Sequence, residues 1–67
     1  MEKKTTKQKI LETALDLFSK EGYHATSVAS IAENIGIKAP SLYKHYKSKQ
    51  AILDAIVDEM QIRYTNM

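Results

Sequence analysis

Between Val28 and Tyr46 the chain holds two short apolar-periodic stretches separated only by Ile35-Gly36-Ile37-Lys38. Two helices joined by a glycine-containing turn of three or four residues cross steeply, and the second projects away from the first. In the first stretch Val28, Ile31, Ala32 and Ile35 fall on one face. In the second, Leu42 and Tyr46 stand four apart and face inward, and Ala39-Pro40 opens the helix with proline in the first turn, where its missing N–H costs little.

What surrounds this pair is also helical. From Lys7 to Glu21 the apolar residues Ile10, Leu11, Ala14, Leu15, Leu17 and Phe18 recur at helical spacing between charged ones. Thr5 or Thr6 can cap that helix, and Gly22 stands where a left-handed residue would close it. Thr26-Ser27 offers hydroxyl caps to the next helix. Ser48 does the same for a last one running through Ala51, Ile52, Leu53, Ile56, Val57 and Met60 toward Tyr64. The pattern predicts an all-α fold with helices at about 6–21, 27–35 and 39–46 and a fourth from residue 49. It forms one small domain in which the second and third helices make a helix-turn-helix.

A chain of 67 residues with no cysteine has neither disulfides nor thiolate metal sites to reinforce it, so helix packing must stabilise it alone. No apolar run approaches the roughly 18 to 20 residues of a membrane span, and the N-terminus is not followed by a signal-type apolar stretch. The expectation is a cytoplasmic protein without a membrane partner. The net charge of +2 says little, but its distribution is informative. From Asn34 to Leu53 there is no acidic residue, while Lys38, Lys44, Lys47 and Lys49 all lie there. On the third helix, 100° steps put Pro40, Ser41, Lys44 and His45 on the arc opposite Leu42 and Tyr46, with Tyr43 at its edge. This arc is short, basic and rich in hydrogen-bond donors.

Taken in order, Ile10-Leu11, Ala14, Leu17-Phe18, Gly22-Tyr23, Thr26-Ser27-Val28, Ile31-Ala32, Gly36-Ile37 and Leu42-Tyr43-Lys44-His45-Tyr46-Lys47-Ser48-Lys49 resemble the N-terminal signature of TetR-type bacterial transcriptional regulators. The resemblance covers nearly the whole chain. It implies a homeodomain-like DNA-binding domain over 1–48, and a fourth helix, 49–67, that starts the connection to a ligand-binding and dimerising domain not contained in this sequence. The implied partner is double-stranded DNA with a palindromic operator, bound in the major groove by a homodimer of the full-length parent at the nucleoid. A small-molecule effector in the other domain would release a repressor. By position, Tyr43 and His45 would meet the sugar-phosphate backbone or groove edge, Lys49 would bind phosphate, and Thr26 or Ser27 would offer a hydroxyl and a helix start to another phosphate. Base reading would fall to Lys38, Ser41 and Lys44, with Ala39 able to give a thymine methyl contact. The sequence departs from the family pattern in three places. Lys38 replaces a small hydroxyl cap, Ala29 stands where many relatives carry arginine or another polar residue, and Tyr46 replaces the usual phenylalanine.

Other classes find less support. No pair of carboxylates, nucleophile with base, or glycine-rich phosphate loop is present, so no enzyme and no cofactor is expected. His24 has no partner at metal-ligand spacing, and no metal is expected. The leading lysines Lys3, Lys4, Lys7 and Lys9 read as a solvated tail, with an arm into the minor groove as the alternative. The rival function is a protein-interaction module presenting the apolar end of the fourth helix. It differs from DNA binding in being nearly indifferent to salt.

Overall fold

The computed structural model describes residues 5–65, with side chains for 5–59. Among the described residues the elements are four helices: α1 (Thr6–Glu21), α2 (Val28–Ile35), α3 (Ala39–His45) and α4 (Lys49–Thr65). Helix α1 is the hub, packing against both α2 and α4, while α3 packs on α2. No helix among these residues is long and apolar enough to cross a membrane. The side chains of Met60, Ile62 and Tyr64, and all of Lys3, Lys4 and Met67, lie outside the described residues.

Each helix starts where its chemistry allows. Thr5 caps α1 with a full capping box: its hydroxyl oxygen accepts from the Gln8 N–H at 3.2 Å while the Gln8 side chain accepts from the Thr5 N–H at 3.0 Å. Ser27 is the cap of α2 rather than its first residue, with its Oγ accepting from the Ser30 N–H at 3.0 Å. Ser48 Oγ accepts from the Ala51 N–H at 3.1 Å and starts α4. Helix α3 has no side-chain cap because Lys38 carries no acceptor, and it relies on Pro40 in its first turn.

The α2 terminus sets the angle of the helix pair. The Ile37 N–H reaches back to the Ala32 carbonyl and the Gly36 N–H to the Glu33 carbonyl, at 3.0 and 3.1 Å. These are the paired bonds of a Schellman motif. They require a left-handed residue, supplied by Gly36 at φ 89°, ψ 25°. Ile37 then drops onto the core as the accompanying apolar contact. Gly22, expected to be left-handed, instead takes φ 93°, ψ 152°. That positive-φ extended region is essentially restricted to glycine. It swings the chain away from α1 into the Tyr23–Thr26 turn instead of curling it back.

The core comprises Ile10, Ala14, Leu17, Val28, Ile31, Ala32, Leu42, Ile52 and Ile56, with Leu11, Phe18, Ile35, Ile37 and Tyr46 packed around it. Leu15, which shares the apolar periodicity of α1, is 45% exposed, and Val57 on α4 is 44% exposed. Both follow the apolar periodicity of their helices yet stay outside the buried core. Tyr46 lies just beyond α3 in an extended conformation (φ −137°, ψ 128°), so α3 ends one residue earlier than its periodicity suggests. Its ring still packs on the core.

Leu42 is fully buried and is the one buried side chain of seven-residue α3. Leu42→Ala is expected to cost about 2 to 5 kcal/mol from lost transfer energy and the cavity left behind. Leu15→Ala should cost about 1 kcal/mol or less, as expected for a half-exposed position. Urea denaturation followed by circular dichroism measures both.

Candidate nucleic-acid interface

With Leu42 buried, the helical repeat dictates which residues of α3 turn outward. Pro40, Ser41, Tyr43, Lys44 and His45 are all exposed, as is Lys38 at its cap, while Ala39 is half-buried. Tyr43, at 47% exposure, is one of the largest apolar surfaces the fold leaves uncovered. The arc therefore combines an aromatic ring, two lysine ammonium groups, an imidazole and a hydroxyl on a helix whose far side is anchored. Lys47 extends the basic strip into the α3–α4 turn and is also exposed. Although it lies within the lysine-rich window, it escaped the sequence-based selection of contact residues because it follows the end of the helical pattern.

Ser27 lies exposed at the start of α2, two residues before the exposed Ala29. Its Oγ accepts from the Ser30 N–H, which leaves the hydroxyl proton free to donate outward. The neighbouring Thr26 cannot serve in the same way. It is 1% exposed, and its hydroxyl is directed at the carbonyls of Gly22 and Leu17, at 2.9 and 3.3 Å. A buried hydroxyl bonds the carbonyls beside it in place of solvent, so the expectation of a Thr26 hydroxyl on phosphate is corrected to an internal role. Of the two hydroxyls in that pair, only that of Ser27 is accessible.

Lys49, also expected on phosphate, is half-buried. Its Nζ donates to the Tyr23 carbonyl at 2.7 Å and the Thr26 carbonyl at 2.9 Å, and lies 4.3 Å from the centroid of the Tyr23 ring. Sequence periodicity carries no signal for this arrangement, because two of the three partners are backbone atoms of another element. Tyr23 itself packs against Phe18 with ring centroids 5.1 Å apart and donates its hydroxyl to Gln50 Oε1 at 3.2 Å. His24 is exposed, with its ring edge-on to Tyr23 at 5.6 Å.

Behind the arc, Tyr46 faces a lysine of α1 and feels the charge of a carboxylate on α4. Lys7 Nζ from α1 lies 5.6 Å from its ring centroid. Burial holds its hydroxyl above the ordinary tyrosine value, and the negative charge of Glu59 on α4 pushes in the same direction. Because the folded-state value is the raised one, the neutral phenol is the form the fold favours. That contribution is fully present below about pH 10 and is lost as pH rises through the folded value. The stability of the wild type should therefore fall relative to Tyr46→Phe above about pH 10, in denaturation curves taken at stepped pH, while the difference between them stays flat below it. A difference that does not change with alkaline pH would remove the tyrosinate from the explanation.

The family profile described as "Bacterial regulatory proteins, tetR family" matches residues 10–56, from one buried core residue, Ile10, to another, Ile56. The chain is 35% identical to the tetracycline repressor protein class C of Escherichia coli over 57 residues, which is 85% of this chain and 26% of that protein. It is 43% identical over 51 residues to IcaR of Staphylococcus aureus (strain Newman), the HTH-type negative transcriptional regulator of the biofilm operon icaADBC, covering 76% of this chain and 27% of the relative. Among solved structures, a transcriptional regulator of the TetR/AcrR family from Thermobifida fusca YX-ER1 matches with a TM-score of 0.77 and 42% identity, over 79% of this chain and 29% of that one. The chain thus spans about a quarter of the length of the curated relatives it matches.

Proposed function

The chain belongs to the tetR family of bacterial regulatory proteins, and from that premise we propose that it binds double-stranded DNA by placing α3 in the major groove. The observation that carries the reading is the two-sidedness of α3, with Leu42 sealed into the core and Ser41, Tyr43, Lys44 and His45 all exposed. Lys38, Ser41 and Lys44 are assigned to base edges, where lysine donates to guanine O6 and N7 and serine is permissive, with Ala39 beside a thymine methyl. Tyr43 and His45 are assigned to the backbone, and Ser27 with the free N–H groups at the start of α2 to a phosphate.

In this reading residues 1–48 form the reading domain and α4 leads toward a dimerising, effector-binding part of the parent protein. A two-fold dimer would set paired α3 helices about 34 Å apart, one DNA turn, on a palindromic operator. A small molecule that favours a different spacing would release it, making the parent a repressor that works in the cytoplasm at the nucleoid. The role is binding rather than catalysis. The similarity to the tetracycline repressor and to IcaR, a negative transcriptional regulator, supports it.

The test is binding to a labelled random-sequence duplex by fluorescence anisotropy, between roughly 50 and 200 mM salt. The single chain should bind with a dissociation constant of about 10⁻⁴ to 10⁻⁶ M, with log K falling linearly against log salt. Lys44→Ala should weaken binding, and it should make the slope shallower by about 0.9 if its ammonium also neutralises a phosphate. Because Lys44 is exposed, the unfolding midpoint should not change. Absence of binding, or binding indifferent to salt, would contradict the proposal.

A further inference from the structure

Lys49 is the first residue of α4, yet its ammonium is spent on a different element. The two carbonyls it holds, those of Tyr23 and Thr26, are the ends of one tight turn, which the Thr26 N–H closes onto the Tyr23 oxygen at 3.3 Å. A single cation thus bridges both ends of the α1–α2 connector, and the Tyr23 ring covers it. The next residue of α4 strengthens the grip. Gln50 Oε1 accepts from the Tyr23 hydroxyl while Gln50 Nε2 donates to Asp54 Oδ1 at 3.1 Å, so the amide is oriented from both ends. On the opposite side, the Thr26 hydroxyl ties the same turn to the end of α1. The residue after Thr26 is Ser27, the cap of α2. The direction of the first turn of α2 therefore depends on a peptide held from α1 by a hydroxyl and from α4 by an ammonium.

We propose that Lys49 is a positioning residue, a clasp that fastens the α1–α2 connector to α4 and thereby sets the start of α2, and that it does not itself neutralise a phosphate. Only its effect on DNA rests on the function proposed above; the clasp is a property of the free chain. Carbonyl dipoles and an aromatic face compensate its charge, and two of its three N–H donors are occupied. A phosphate that drew the ammonium away from the turn would break both of those bonds. The start of α2, with Ser27 and the Val28 and Ala29 N–H groups, is then the phosphate contact, and Lys49 acts through it.

The first measurement uses the unaltered chain, with nitrogen-15 NMR of the lysine ammonium groups at low temperature, where hydrogen-bonded ammonium protons exchange slowly enough to be seen. Lys49 should give a protected signal that keeps its position when saturating duplex DNA is added. Lack of a protected Lys49 signal, or its displacement on adding DNA, overturns the clasp, and this arm holds whether or not any variant folds. The second uses Lys49→Met, which keeps the stem and removes the donors. Exchange at the Thr26, Ser30 and Ile31 amides should accelerate at least tenfold while Ala14 in α1 keeps its protection. DNA affinity should fall several-fold at an unchanged salt slope, and the DNA-induced shifts of the Val28 and Ala29 amides should shrink. A slope shallower by about 0.9 would identify a phosphate ligand and overturn the proposal, whatever the exchange result. Unchanged exchange would overturn it whatever the slope. If the chain binds no DNA, the function proposed above fails, while the ammonium signal and the exchange rates still decide the clasp.

Discussion

Helix α3 is seven residues long, and a helix of that length does not persist by itself in water. It exists because Leu42 is drawn into the space between the other helices, with Tyr46 packed just behind it. Once that side chain is seated, rotation about the helix axis is fixed, and the residues on the opposite arc have nowhere to go but outward. The exposed set is therefore a consequence of one buried contact. The recognition chemistry proposed for the arc depends on that contact to keep it in register.

The remaining architecture serves to hold α3 at its angle. The Schellman closure at Gly36 and Ile37 sets how α2 turns into α3, and the caps at Ser27 and Ser48 fix where α2 and α4 begin. Because α1 contacts both α2 and α4, a displacement at either one is resisted through a common core. The connector between α1 and α2 is the weakest point of such a scheme, since it contributes little apolar burial. Here it is secured by polar bonds instead, through Thr26 to α1 and through Lys49 and Gln50 to α4. A basic surface mounted on a braced scaffold would meet a rigid duplex, as proposed, with little ordering cost.

The helices were legible in the sequence because their signals are local. The Ile10–Phe18 spacing, the hydroxyls at Thr5, Ser27 and Ser48, Gly36 and Pro40 each act over a few residues, and the observed elements follow them closely. The all-α class and the tetR-family membership were likewise readable. Readings that depended on tertiary neighbours fared differently. Leu15 fits the helical stripe yet lies half-exposed, because helical spacing alone does not say which neighbours will cover each position. Thr26 and Ser27 look interchangeable as adjacent hydroxyls, and only the fold shows one turned in and the other out. The carbonyl partners of Lys49 are backbone atoms more than twenty residues away, and no residue pattern encodes them.

The central claim is that DNA meets this chain along α3 and the start of α2, and amide NMR of the labelled chain titrated with duplex DNA tests it most directly. Shifts concentrated at Lys38, Ser41, Tyr43, Lys44, His45 and the Ser27–Ala29 amides, with the outer faces of α1 and α4 undisturbed, are the predicted result. Shifts centred instead on exposed residues of α1 or α4 such as Leu15 or Val57, with those amides of α2 and α3 unmoved, would contradict it.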